Sequence, residues 1–186
     1  MFLYIFVGVV NLVVLSLLLP SQLQTPTVYL DSVAIKSLNT KVDNLTGTFD
    51  LTLIFHTPNY EEEIVSYNDL EVRVLWPGED EIILAKRNLP PFLQEADTVT
   101  MIGVELMVVN GFSNNSHVSI GIGIEKSNGS VQIGVSMLGL FSLRDGCSKK
   151  MQFDFDNVVV KFPPGSNNGT WKWVEPSHVL MHNYRI

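Results

Sequence analysis

One cysteine, Cys147, stands among 186 residues, so no internal disulfide can form and no cysteine zinc cluster is available. The fold must then rest on its apolar core, although an oxidising compartment does not oblige a domain of this size to carry a bridge. Cys147 itself is either an unpaired thiol or a partner for another chain. Basic charge is also scarce. Lys and Arg number 12 against 19 Asp and Glu, the net charge is -7, and no block of Lys or Arg occurs. The positive footprint that phosphate binding requires is missing, so nucleic acid is not expected as a partner. The acidic run Glu61-Glu62-Glu63 follows a turn signal and reads as a solvated loop.

The signatures of catalysis are missing as well. There is no G-x-S-x-G, no Walker loop and no H-E-x-x-H. Gly121-Ile122-Gly123 lacks the third glycine and the following helix of a pyrophosphate-binding turn, and reads instead as part of a hairpin strand. His178 and His182 lie four apart without the Glu that a zinc site of that spacing needs, and their surroundings are not helical. His56 and His117 fall singly on polar strand positions, with no nucleophile to pair them. Asp154 and Asp156 alternate along a strand and read as solvated charges. Trp171 and Trp173 read as anchors of the tail on the core ahead of a platform for sugars. No enzyme, cofactor or metal is expected, and a carbohydrate-active enzyme has only these scattered acids and tryptophans in its favour.

What is present begins with an apolar run. From Phe2 to Leu19 there is no charged side chain, and only Asn11 and Ser16 interrupt it before Pro20. A helix of about 20 residues crosses a bilayer core of roughly 30 Å, whereas the apolar part of a cleaved signal is usually about 7 to 15 residues and ends at small residues. "LLLPSQLQTP" offers no A-x-A pattern. Residues 1–22 are therefore expected to be an uncleaved transmembrane signal anchor, with a cleaved signal as the alternative, followed by a linker at 23–27. Four N-x-[ST] sequons make Asn44, Asn114, Asn128 and Asn168 glycosylation candidates, each beside polar or Gly turn residues. They argue for a single-pass protein of the plasma membrane or an endomembrane, with the C-terminal body lumenal or extracellular.

The body, 28–162, reads as strands. Leu51, Leu53 and Phe55 alternate with Thr52 and His56, and Leu70, Val72, Val74 and Trp76 repeat the pattern before Pro77-Gly78. Val118, Ile120, Ile122 and Ile124 alternate in the same way, so residues 116–138 are expected to form a hairpin around "SNGS". "TVTMIGVELMVV" is apolar on both faces, and its Thr, Val and Ile tip it from helix toward buried strand. The phase of "KKMQFDFDNVVVKF" changes near Asp156-Asn157, which predicts a bulge. About seven or eight strands punctuated by Gly, Pro and Asn turns imply an all-β, antiparallel immunoglobulin- or fibronectin-like sandwich. The tail, 163–186, is rich in Pro and Gly and is not expected to be regular.

The apolar run, then "LTGTFDLTLIFHTPN", "YNDLEVRVLW" and "LPPFLQEADTVTMIGVEL" resemble, in that order, the plant late embryogenesis abundant hydroxyproline-rich glycoprotein family of harpin-induced and non-race-specific disease-resistance-like membrane proteins. There a strand ends in an Asn-Pro-Asn-like turn, a Tyr-containing strand follows, and a Pro-Phe-Tyr-Gln-like segment precedes the next strand. Here Thr57-Pro58-Asn59, Tyr67 to Val74 and Pro91-Phe92-Leu93-Gln94 take those places, with Thr57 and Leu93 departing from the pattern. The resemblance implies a sandwich on one transmembrane helix with a role in stress or pathogen defence. The expected function is non-enzymatic binding or scaffolding toward a protein partner or a second copy. Binding or transfer of lipid or a small apolar ligand is the alternative.

Overall fold

The computed structural model describes residues 25–41, 44–58, 64–77, 82–108, 116–143 and 148–172. The period-two runs become long strands: β1 (Thr27–Lys41), β2 (Asn44–His56), β3 (Ile64–Trp76), β4 (Ile82–Asn88), β5 (Phe92–Glu95) and β6 (Val99–Met107). A helix, α1 (Ser116–Ser127), precedes β7 (Ser130–Ser142), β8 (Ser148–Lys161) and β9 (Gly169–Lys172). The alternating residues point as their spacing dictates, with Leu51, Leu53, Phe55, Leu70, Val72 and Val74 all buried. Each such side chain contributes roughly 1.5–3 kcal/mol relative to exposure.

Hydrogen bonding runs through one nine-stranded sheet in the order β4-β3-β7-β8-β9-β1-β2-β6, with β5 added beside β3. Every pairing is antiparallel. The sheet curls until its two edges meet, where Arg87 Nη1 on β4 donates to the Glu105 carbonyl on β6 at 2.9 Å, giving a nearly closed barrel around the core. The antiparallel expectation is met and the fold is mostly β, but with one helix among the described residues where only strands were expected. The ninth strand is one that the Pro- and Gly-rich tail concealed: Gly169 to Lys172 pair with β1, and Thr170 meets Lys161 of β8. Phe162, which ends the expected body, lies over Gly169 at a spacing that only a residue without Cβ permits, 2.7 Å from an added Cβ.

The predicted bulge is present. Ile133 pairs with Val158 and Val135 with Phe155, so Asp156 and Asn157 together oppose the single Gly134, and Asn157 takes a φ of 59°. The predicted hairpin is not. Residues 116–127 form α1, so the strand reading of "HVSIGIGIEK" is corrected. Val118 and Ile122, one turn apart, are buried, while Ile120 and Ile124 are exposed. Gly and β-branched residues are weak helix formers, and here packing overrides propensity. A Cβ on Gly121 would lie 3.2 Å from the Trp76 ring and one on Gly123 would lie 3.1 Å from Thr40 Oγ1, so bare positions let the helix seat against β3 and β1. Gly129, at φ 87°, terminates it, its N–H bonding to the Lys126 carbonyl at 2.9 Å.

"TVTMIGVELMVV" is a strand as expected, but an edge one. Val104 and Leu106 face the core while Val99, Met101 and Met107 are exposed. Among the described residues no helix is long and apolar enough to cross a membrane. The anchor expected at 1–22 lies outside the described residues.

Candidate functional site

The two ends of the curled sheet differ in chemistry. Beyond His56 the chain reaches Thr57 and Pro58, whose ring cannot donate to a ladder, and β2 stops. The Thr57 N–H bonds to Thr98 O at 3.1 Å and the Asp97 N–H to Pro58 O at 3.3 Å, which ties this turn to the one between β5 and β6. Gln94 of β5 donates its amide to Phe55 O at 3.1 Å and to Thr98 O at 2.8 Å, holding both turns. Over them lie three rings. Phe55 and Phe92 meet edge-on at 5.1 Å, Phe55 and Tyr67 edge-on at 5.4 Å, and Tyr67 stacks on Phe92 at 4.6 Å. The Tyr67 hydroxyl and Thr57 Oγ1 share a buried hydrogen bond of 3.1 Å. Burial pushes the Tyr67 phenol up to about 12, against a lowering by Thr57.

The residues that carry the family resemblance thus converge: Thr57, Pro58, Tyr67, Phe92 and Gln94 form one node. Its groups are a protonated phenol, a hydroxyl and a carboxamide, with Gln94 Oε1 buried and unbonded among the described residues. Nothing in that set is activated for nucleophilic or acid–base work. The node closes this end of the barrel.

At the other end, α1 covers the interior. Lys126, in its last turn, donates to Leu38 O at 2.8 Å and to Asn167 Oδ1, and lies 6.0 Å from the centre of the Phe162 ring. A cleft of about 570 Å³ opens there between α1 and the loop after β8, lined by Thr40, Gly123, Lys126, Phe162, Pro164 and Asn167. Three of the four sequon asparagines, Asn44, Asn128 and Asn168, stand at this end. Asn44 opens β2 opposite Lys41. Asn128 is exposed in the turn after α1, and Asn168 is exposed ahead of β9, its Oδ1 accepting the Ser37 N–H at 2.9 Å. The Val108 N–H bonds to Gly47 O at 3.1 Å, so β6 also finishes here. Asn114 and the side chain of Asn44 lie outside the described residues. The chain enters at the opposite end, where Thr27 pairs with His56. Along the 15 residues of β1 the two ends lie about 46 Å apart at ~3.3 Å per residue.

The outer face of β7 and β8 carries a polar cluster. Ser136 Oγ donates to Asp154 Oδ1 at 2.6 Å and Gln152 Nε2 to Asp154 Oδ2 at 2.8 Å. A serine bonded directly to a carboxylate has no imidazole to carry its proton, and the described histidines stand on other elements, His56 on β2 and His117 on α1. Asp156 is exposed in the bulge, so the two aspartates do not share one environment. Trp171, on β9, packs half-buried against the core. Lys36 pairs with Asp50, whose hydrogen bond raises its pKa. Among the described residues no group of three or more His, Cys, Asp or Glu is placed to hold a metal. Glu61-Glu62-Glu63, Cys147, Trp173, His178 and His182 lie outside the described residues.

No family model and no curated protein matches this chain. A solved structure of a protein from Archaeoglobus fulgidus is similar over 73% of this chain and 98% of its own, at 11% identity and a TM-score of 0.37. A likeness at that level carries no argument.

Sequence reasoning singled out neither Lys126 nor the Gln94 bonds. For Gln94 the signal was its place in the quoted Pro-Pro-Phe-Leu-Gln segment. For Lys126 there was none, because the segment reads as a strand.

Proposed function

We propose that this protein is a membrane-anchored, non-enzymatic body outside the cytosol that binds or scaffolds a partner in plant stress or pathogen defence. One observation carries the reading: Asn44, Asn128 and Asn168 gather at the end of the barrel opposite to the end where the chain arrives from its apolar run. An anchor at the entry end would hold the body with its glycan acceptors facing away from the bilayer. Convergence of the resemblance residues on a packing node, with no reactive set, agrees with binding rather than turnover. The finer description as an immunoglobulin- or fibronectin-like sandwich belongs to the same proposal. β9 meets β8 through a single pairing, Lys161 with Thr170, so the sheet is seamed into two halves there.

The test is expression of the full chain in plant cells, followed by carbonate extraction and endoglycosidase digestion. Carbonate-resistant protein that loses mass on deglycosylation, in smaller steps for Asn128→Gln and Asn168→Gln, is expected. Firm retention with no shift would invert the topology and remove the reading. Ligand handling has one observation in its favour, an apolar groove of about 370 Å³ beside Leu138, Gly139, Leu140 and Met151. A stoichiometric lipid in native mass spectra of the purified chain would favour it, and repeated absence would reject it.

A further inference from the structure

The entry end carries four large apolar side chains in water. Leu93 is 70% exposed, Met101 63%, Val99 60% and Ile64 46%. Pairing places them close together: Ile64 lies opposite Glu95 and Leu93 opposite Ser66 on the β3–β5 ladder, and the turn after β5 leads within four residues of Glu95 to Val99. Val99 pairs with His56, which faces Thr27, and Met101 pairs with Ile54, which faces Tyr29. The row Tyr29, Ile54, Met101 thus extends the apolar end by one step along the outer surface, with a half-buried Tyr of the kind that suits a membrane–water boundary. Apolar groups gathered in this way and rimmed by polar ones mark an interaction surface.

We infer that this end of the body rests in the interfacial layer of the bilayer, with Leu93, Val99, Met101 and Ile64 as its lipid contacts. The inference rests on the anchored reading proposed above. What names the occupant is the chain itself: the uncharged run Phe2 to Leu19 is followed by few residues before Thr27 starts β1 at this end, so an anchored chain cannot carry it far from the lipid. The charges fit a zwitterionic surface. Exposed Glu95 and Asp97 flank the apolar side chains, while Lys149 and Lys150 stand at the start of β8, three ladders from β5. Burial of apolar area at the headgroup boundary supplies the attraction and the mixed rim leaves the headgroups their own charge partners. Met107, 72% exposed on the same strand, serves as an internal contrast, because it lies toward the glycan end, about 20 Å away at ~3.4 Å per residue.

The test places an environment-sensitive fluorophore on single cysteines at Leu93→Cys, Met101→Cys and Met107→Cys in the full chain carrying Cys147→Ser. Each is reconstituted in phosphatidylcholine nanodiscs with and without spin-labelled phosphatidylcholine, and membrane retention is measured on the same samples by flotation. Loss of emission at positions 93 and 101 but not at 107, with all chains retained, is the expected result. Retained chains whose labels at 93 and 101 are no more quenched than the label at 107 would overturn the lipid contact and leave the anchor standing. Chains that fail to float would remove the anchored reading and the inference with it. Fluorophore self-quenching at 93 and 101 that vanishes on dilution among empty nanodiscs would assign the surface to a second copy and overturn it too.

Discussion

Removing one oxygen from the node at the entry end makes a sharp test of its physics. Tyr67→Phe keeps the ring that stacks on Phe92 and meets Phe55 edge-on, and deletes only the hydroxyl bonded to Thr57 Oγ1 at 3.1 Å. Thr57 is buried, so its hydroxyl is left without that partner, and the expected cost at pH 7 is about 1–2 kcal/mol. The same oxygen acts differently in alkali. Its pKa rises from 10.0 in the unfolded chain to about 12 in the fold because burial disfavours the phenolate. A raised folded pKa means stability that is complete below pH 10 and is lost as pH climbs through 12, since the unfolded chain ionises first. The loss from this group is about 1 kcal/mol by pH 11 and about 2 kcal/mol by pH 12. Tyr67→Phe has no such loss. Urea unfolding of both proteins at pH 7, 10 and 11.5 therefore should show the wild-type advantage shrinking above pH 10 and reaching zero or reversing, while titrations common to both cancel in the difference. A difference that stays constant from pH 7 to 11.5, or a variant that is the more stable at pH 7, would refute the account of Tyr67 as a buried, hydrogen-bonded neutral phenol.

Other changes read other parts of the fold. Gly169→Val drives a side chain into the Phe162 ring, 2.7 Å from the added Cβ, and should cost about 1–3 kcal/mol in thermal unfolding. Adding Phe162→Leu should return part of that loss, and strict additivity would deny the contact. Gly121→Leu should push α1 off Trp76, whose ring lies 3.2 Å from that Cβ, and red-shift Trp76 emission in a chain with Trp171→Phe and Trp173→Phe. Unchanged emission would mean that the helix does not bear on that ring. Lys126→Met removes the donor to Leu38 O and Asn167 Oδ1, so amide exchange at Leu38, which bonds to Asn167 O at 2.9 Å, should accelerate. Equal protection in both proteins would show that the lysine does not hold the distal loop.

Period-two hydrophobicity is a local property, and wherever the chain obeyed it the strands were legible. Leu51 to Phe55, Leu70 to Val74 and the phase change at Asp156-Asn157 all lie where alternation places them, because a pleated strand turns successive side chains to opposite faces whatever it packs against. The same rule failed at residues 116–127. Val118, Ile120, Ile122 and Ile124 alternate as a strand does, yet Val118 with Ile122, and equally Ile120 with Ile124, also satisfy a helix's spacing of four, and the decision came from what Gly121 and Gly123 could approach. Trp76 and Thr40 are far from them in sequence, so no window on the chain contains that information. β9 was hidden for the same reason: four residues among Pro, Gly and Asn become a strand only because β1 and β8 offer their edges on either side. The resemblance segments were readable one by one, but their joint meaning was not. Thr57 and Tyr67 are tied by a hydrogen bond across two strands, and Gln94 holds Phe55 O from a third. Composition could exclude a disulfide and a phosphate-binding face; which ends of the strands coincide, and so where the sequons and the exposed Leu93 and Met101 stand relative to the entering chain, is a matter of topology that only the folded sheet decides.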